Sequence, residues 1–268
     1  TYTTTASQAL EKYDPQYFEQ YVYDTLGDQG WLVTDYKKGA GDTRSMPTPQ
    51  GLSSPGTLPQ FTTDVTVVSG ALLSRSTPTF LAMPYPVARV TPPPGFWLTD
   101  QELMVYSQDD DVPVKTYQVN TYQVDPTQGD LNDAPPISGG LPDDLALPKS
   151  YQTAALNQIA DEITKNATTE YEKVDALAEW LSGQAFTYSS SGALFDTPAG
   201  LLRFLQVTRT GVCVQSAYAM TVLTRLLGIP ARMVQGYTAG TATSGGKYVV
   251  KSSDAHAWTC LLYTSDAA

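Results

Sequence analysis

Histidine, cysteine and charged residues are scarce in this chain. Its 268 residues include one His and two Cys, and only 16% of them carry a charge. A single imidazole excludes zinc sites built on several histidines, and two cysteines exclude a disulfide-rich scaffold. Because the spacing of the two cysteines matches no zinc motif, the sequence predicts neither a bound metal nor a cofactor.

Basic residues are outnumbered as well. The chain has 16 Lys and Arg against 27 Asp and Glu, a net charge of -11, and no run rich in Lys or Arg. Nucleic acids and anionic lipid surfaces bind to basic patches, so nucleic acid is excluded as a partner. There is also no apolar run of 18 residues and no basic-then-apolar start. We therefore expect neither a transmembrane span nor a signal peptide within these residues.

The residues that are present divide the chain by composition. Between residues 14 and 125, short β-rich runs alternate with turn residues. Residues 125–149 are rich in Pro, Gly and Asp, which is typical of a linker. From Tyr151 onwards the apolar residues recur at helical spacing. These patterns predict an α+β fold, with an irregular antiparallel β domain and its linker over 1–149 and an α+β domain over 150–268.

Helix starts and ends can be read within the second region. Thr169 and Glu172 have the spacing of a capping box, which predicts a helix start. The strongest predicted helix begins near Cys213 and ends before Gly228 and Pro230, residues that favour a helix stop. Three strands are predicted after this helix, over residues 231–237, 247–252 and 255–263.

One cysteine and the histidine are candidates for chemistry. Cys213 stands at the predicted helix start, where unpaired N–H groups and the helix dipole favour a thiolate. His256 lies on the last predicted strand, and a Cys and a His distant in sequence are typical of cysteine acyl-transfer enzymes. The alternatives are that Cys213 is a small buried residue and that His256 is an ordinary surface or core residue.

Three segments resemble a known family when taken in order. They are RTGVC over 209–213, LGIPARMVQGY over 227–237 and DAHAW over 254–258. Together they resemble the core of the transglutaminase-like superfamily. The stretch from Tyr17 to Trp31 is similar to the ectodomain lead of bacterial membrane-anchored members. The resemblance implies a papain-like transglutaminase core that follows the β domain.

The resemblance also implies roles for individual residues. Cys213 is the implied nucleophile and His256 its proton partner. The thiolate attacks a Gln carboxamide or a peptide amide, and the thioester passes to an amine, which cross-links proteins, or to water. Protein or peptide substrates, recognised through Gln and Lys side chains or peptide amides, are the implied partners. The backbone N–H of Cys213 and the Tyr188 hydroxyl are candidate oxyanion donors, with strand packing as the alternative for Tyr188.

The chain departs from the family pattern after the histidine. That pattern continues into a strand with an Asp that orients the imidazole. Asp254 is not at that position, and Asp266 follows too soon after the predicted strand to return to the imidazole. Neither is assigned, and we interpret the core as truncated at its C-terminus and its activity as weakened.

Two further alternatives follow. The chain is either an enzyme on the outer face of a bacterial membrane, attached through segments absent from these residues, or a catalytically degenerate envelope scaffold. Cys260 is either a packed strand residue or the partner of Cys213 in a disulfide that blocks the nucleophile.

Overall fold

The structure, a computed structural model, consists of mostly antiparallel sheets flanked by helices. It describes residues 1–6, 16–33, 41–43, 46–52, 55–68, 78–109, 112–135 and 141–262. The strands are β1 Tyr2–Thr4, β2 Phe18–Tyr23, β3 Thr25–Gly27, β4 Gly30–Leu32, β5 Gly41–Asp42, β6 Gln60–Thr66, β7 Thr79–Phe80, β8 Met83–Pro84, β9 Val87–Thr91, β10 Leu98–Thr99, β11 Val105–Ser107, β12 Thr116–Tyr122, β13 Thr187–Tyr188, β14 Thr210–Gly211, β15 Ala231–Tyr237, β16 Thr241–Ala242, β17 Lys247–Val249 and β18 Ala255–Leu261. The helices are α1 Gln128–Asp133, α2 Pro142–Leu145, α3 Ala154–Thr164, α4 Glu170–Ser182, α5 Pro198–Arg203 and α6 Cys213–Leu226, and a π-helical turn spans Phe204–Thr208.

Most strands of the N-terminal region form two sheets. One has the order β16-β17-β1-β6-β12-β9 and the other the order β5-β10-β11-β7. Along β12, Tyr117, Val119 and Thr121 are buried while their neighbours are not, as expected for a strand with one covered face. Val119 packs in a core with Trp97 and Val105 from the second sheet's side. The antiparallel β character predicted for this region is confirmed.

A third sheet, with the order β18-β15-β2-β8, joins distant parts of the chain. β15 pairs with β18 on one side and with β2, from the N-terminal region, on the other. At Gly236 a Cβ atom would lie 1.8 Å from the carbonyl oxygen of Phe18, so only glycine permits this approach. This sheet therefore contains strands from both sides of residue 149, and the predicted domain boundary there stays a prediction.

Helix α6 covers one face of this third sheet. Its residues from Ala217 to Arg225 are all buried, as expected for a helix that is packed on every side. The hydroxyl groups of Thr221 and Thr259 are 2.9 Å apart and fix the helix to β18. Helices α3 and α4 pack against α6 through Leu156 and Leu177, in the largest apolar core. The helices predicted in this region are confirmed.

The predicted helix ends are confirmed too. The Thr169 hydroxyl accepts the backbone N–H of Glu172 at 3.1 Å, and the Glu172 carboxylate accepts the N–H of Thr169 at 3.3 Å. Gly228 follows α6 with a φ of 78°, which a glycine adopts without strain. The strand predicted over 247–252 is shorter, because Ser252–Asp254 forms a 3-10 turn instead.

Candidate active site

Cys213 is the first residue of α6, as the sequence predicts. The helix start is held by Gln215, whose side-chain oxygen accepts the backbone N–H of Val212 at 3.0 Å. A Cβ at Gly211 would lie 3.0 Å from the Gln215 side chain, so the absence of a side chain at Gly211 lets the Gln215 side chain pack against the backbone there. The thiol is thereby placed where free N–H groups and the helix dipole favour a negative charge.

His256, on β18, meets this thiol. A hydrogen bond joins the imidazole to the sulfur, and the backbone N–H of Ala257 donates to the same sulfur. The pKa of Cys213 is lowered, first by the bond to His256, although partial burial acts in the opposite direction. The structure thus brings together the two residues that the sequence pairs, and the arrangement favours a thiolate next to an imidazole.

Tyr188 reaches the same thiol from β13. Its hydroxyl is hydrogen-bonded to the Cys213 sulfur and accepts the backbone N–H of Cys213. The ring is 71% exposed, so Tyr188 is not a packed strand residue. β13 runs parallel to β14, with Tyr188 opposite Gly211, and this pairing places the ring beside the helix start. Both candidate oxyanion donors therefore lie at the sulfur.

The imidazole has aromatic neighbours on its other side. Tyr17 lies edge-on to His256 with 6.1 Å between ring centroids, and Trp258 stacks on it at 6.4 Å. The sequence motif includes Trp258 but gives no sign of Tyr17, which precedes β2 and comes close only through the shared sheet. The two rings limit the positions that the imidazole can take.

Asp254, one of the two acidic residues considered in the sequence, is bonded away from the imidazole. The Asp254 carboxylate accepts the backbone N–H of Lys251 at 2.7 Å and so holds the turn before β18. Asp266 lies outside the described residues. In the part of the chain that the structure describes, no carboxylate forms an ion pair with His256.

Cys260 lies away from the candidate site. It packs with Val234 and Trp258 in a core on the face of the sheet opposite α6. Burial raises its pKa to about 12, and the side chain of Arg232 is hydrogen-bonded to it. Both cysteines are free thiols. The geometry favours the packed-residue alternative for Cys260 over a bond to Cys213.

Arg232 is a buried residue whose partners the sequence does not reveal. It forms an ion pair with Glu102, donates to the side-chain oxygen of Gln50 at 3.2 Å and lies 5.4 Å from the Tyr85 ring centroid. These contacts connect β15 to the N-terminal region. Arg232 belongs to the GIPAR segment, and a charge between Ala231 and Met233 in a predicted strand is the signal that could have marked it.

The thiol opens into a cavity of about 570 Å³. Cys213, Tyr188 and His256 lie on its wall together with apolar side chains of α4 and α6. Among the described residues, no group of three His, Cys, Asp or Glu side chains is placed to hold a metal ion. A thiol, an imidazole, a phenol hydroxyl and a backbone N–H meet at this wall, and these are the kinds of group that acyl transfer uses.

These features are typical of cysteine acyl-transfer enzymes that carry the thiol at a helix start. Residues 157–266 match the family model of the transglutaminase-like superfamily. These residues, less than half of the chain, are similar to the transglutaminase-like core, and the resemblance seen in the motifs is confirmed.

Two curated bacterial proteins are similar to part of the chain. The protein-glutamine gamma-glutamyltransferase of Pseudomonas aeruginosa is 36% identical over 101 residues, which cover 37% of this chain and 15% of that protein. The uncharacterized protein YebA of Bacillus subtilis is 34% identical over 125 residues, which cover 44% of this chain and 16% of that protein. The matched part is thus a small share of each relative's length.

A solved structure has a similar fold. The periplasmic domain of TgpA from Pseudomonas aeruginosa superposes with a TM-score of 0.66 at 20% identity, covering 96% of this chain and 81% of that chain. At this identity the likeness shows the fold alone. It confirms the predicted α+β class.

Proposed function

We propose that this chain carries the active site of a transglutaminase-like cysteine enzyme, with Cys213 as nucleophile and His256 as its proton partner. The observation that carries the proposal is the hydrogen bond between the imidazole and a thiol whose pKa is lowered, at the start of α6. A structural cysteine needs neither the imidazole nor this position.

The reaction follows from these groups. The thiolate attacks the carbonyl carbon of a Gln carboxamide or a peptide amide, and the negative charge moves to the carbonyl oxygen. His256 gives its proton to the departing nitrogen, which leaves as ammonia or an amine, and a thioester remains on Cys213. An amine or water then attacks the thioester, His256 takes up the proton, and the thiolate is released.

The oxyanion is stabilised by the backbone N–H of Cys213 and the hydroxyl of Tyr188. In the structure these two groups are bonded to each other. A substrate oxygen must therefore replace the tyrosine hydroxyl at the N–H before it can receive both bonds. Substrate binding and movement of Tyr188 are coupled for this reason.

The substrates that we propose are proteins or peptides, and the place of action is the outer side of a bacterial membrane. The name of the Pseudomonas aeruginosa relative supports glutamine as the acyl donor, and the periplasmic origin of the similar fold supports the location. Within the described residues, no helix has the length and apolar character needed to cross a membrane. Attachment to a membrane through other segments is part of the proposal.

The first test is the pH dependence of iodoacetamide alkylation, followed by peptide mass spectrometry under reducing conditions. We expect Cys213 to react at near-neutral pH and with a pKa below that of a free thiol, about 8.5. Cys260 serves as an internal reference because it is buried. Cys213→Ala removes the reactive peptide and, with a fluorescent monoamine and a glutamine-containing protein, the amine incorporation.

A pKa of Cys213 at or above the free-thiol value would overturn the proposal. It would mean that thiol and imidazole are not coupled in solution. That result would favour the alternative, an envelope scaffold in which the transglutaminase-like core is catalytically degenerate.

A further inference from the structure

The cavity at Cys213 has a positively charged lining in a negatively charged protein. The protein as a whole has a net charge of -11. Among the described residues that line the cavity, however, no Asp or Glu occurs, and Arg209 is the one permanently charged group. Most of the wall is apolar, contributed by residues such as Leu181, Phe204 and Met220. Apolar walls focus the field of a single charge, because little water is present to screen it.

Arg209 is held at this wall by its neighbours. Its backbone is left-handed, with a φ of 44° and a ψ of 29°, directly after the π-helical turn. The Nε–H donates to the carbonyl oxygen of Leu205 at 3.1 Å, and the guanidinium carbon lies 5.7 Å from the Phe186 ring centroid. The backbone carbonyl of Arg209 accepts the N–H of Thr187 at 2.8 Å, one residue before Tyr188.

The outer part of the guanidinium remains available. Among the described residues, the Nε–H is the one guanidinium donor used in a hydrogen bond, and Arg209 forms no ion pair with a carboxylate. The two terminal nitrogens carry four further N–H donors in a planar fork, the geometry that binds a carboxylate with two parallel bonds.

We propose that Arg209 determines substrate specificity by binding a carboxylate of the acyl donor. The preferred donor is then a peptide in which a carboxylate lies near the reactive amide, either on an Asp or Glu side chain or at the chain's C-terminus. This inference rests on the proposed function, because it concerns the substrate of the same thiol. The acidic chain repels such peptides in general, and Arg209 offsets that repulsion at the site of reaction.

The first experiment compares two alkylating reagents that differ in charge. Iodoacetate carries a carboxylate and iodoacetamide does not, so the ratio of their rates at Cys213 reports attraction of an anion. We expect Arg209→Gln to lower this ratio about threefold or more, and added salt to lower it in the wild type. Arg209→Lys retains most of the ratio, since the charge is kept. Arg203→Gln is the matched control. It removes the same charge from the protein, but at an exposed position on α5.

The outcomes separate the two proposals. If iodoacetamide does not alkylate Cys213 at near-neutral pH, the proposed function fails and this inference with it. If iodoacetamide alkylates Cys213 but the ratio is the same in the wild type and in Arg209→Gln, this inference alone fails. Should Arg209→Gln unfold, as judged by circular dichroism, Arg209→Lys and the salt series decide, and a ratio independent of salt overturns the inference.

The second experiment identifies the source of the carboxylate. Three glutamine peptides are compared as donors: one with Glu beside the reactive Gln and an amidated C-terminus, one neutral with a free C-terminal carboxylate, and one neutral and amidated. We expect one or both carboxylate peptides to have a lower KM than the neutral one, and this advantage to shrink in Arg209→Gln but not in Arg203→Gln. A wild-type enzyme that shows no preference among the three overturns the inference.

Discussion

Cys213 and Cys260 lie on opposite sides of strand β18, and their pKa values are shifted in opposite directions. At Cys213, hydrogen bonds from an imidazole and a backbone N–H outweigh partial burial, and the pKa is lowered. At Cys260, burial outweighs a neighbouring Arg232, and the pKa rises to about 12. A nearby cation is therefore not enough to activate a thiol. Donors must reach the sulfur while it keeps contact with solvent.

Removing the imidazole is expected to have the largest effect on the difference between the two thiol pKa values. His256→Ala removes the leading cause of the lowered pKa of Cys213, so the alkylation profile shifts to higher pH. Loss of the proton partner is expected to reduce kcat for amine incorporation by about 10²–10⁴-fold. Alkylation and steady-state kinetics check the two effects. An unchanged alkylation profile in this variant would contradict the assignment of His256.

Breaking the ion pair between Arg232, the neighbour of Cys260, and Glu102 is expected to lower the stability of the fold. Arg232→Met leaves Glu102 as a buried carboxylate without its partner, which is expected to cost about 3–5 kcal/mol in the free energy of unfolding. Urea denaturation measures this loss. The double variant Arg232→Met/Glu102→Gln recovers part of it, and Arg203→Met, at an exposed arginine, serves as control. A single variant as stable as the wild type would show that the ion pair is absent in solution.

Two carboxyl groups with raised pKa values, Glu19 and Asp100, make the stability of the protein depend on pH. Burial raises the pKa of Glu19 to about 7 and that of Asp100 to about 7, against values near 4 in an unfolded chain. Between about pH 4.5 and 7 the folded state therefore holds more protons than the unfolded state. The free energy of unfolding falls as pH rises through that window, by about 2–3 kcal/mol for each of the two groups.

Urea midpoints at pH 5 and pH 7.5 measure this effect. Glu19→Gln is expected to flatten the dependence, since the amide does not ionise. A wild type that becomes more stable between these pH values would contradict the burial of the two carboxyl groups.

The smallest effect is expected at the second thiol. Cys260→Ala removes a packed sulfur, which costs about 1 kcal/mol in the free energy of unfolding, and leaves the alkylation rate of Cys213 unchanged. The same substitution at Cys213 removes the reactive thiol itself. If Cys260→Ala altered the pH profile of Cys213, the two sides of β18 would not be independent.

The sequence predicts the parts of the site that are local. Local composition and spacing predict the helix start at Cys213, the helix stop at Gly228 and the strand that carries His256. Each of these signals lies within a single helix or strand and its flanking residues. The pairing of the two residues follows from the family motifs. Tyr17 could not be placed beside His256, because the pairing of strands distant along the chain leaves no periodic trace in either one.

The ion-pair partners of buried charged residues could not be predicted from the sequence either. Arg232 and Glu102 lie far apart in the chain, and nothing in their surroundings matches one to the other. Arg209 belongs to the RTGVC motif, but its position on the cavity wall depends on the left-handed turn before β14. Such a backbone conformation at an arginine is not favoured by any local pattern.

The sheet shared by β2 and β15 has a consequence for recombination between related genes. Exchange of a core beginning at residue 150 would separate β15 from the strand it pairs with and remove Tyr17 from the imidazole. At Gly236, a donor sequence with any larger residue would collide with Phe18 of the resident strand. The segment around residues 17–23 and the region that carries β15 and β18 are thus expected to be inherited together, although they are distant from each other in the gene.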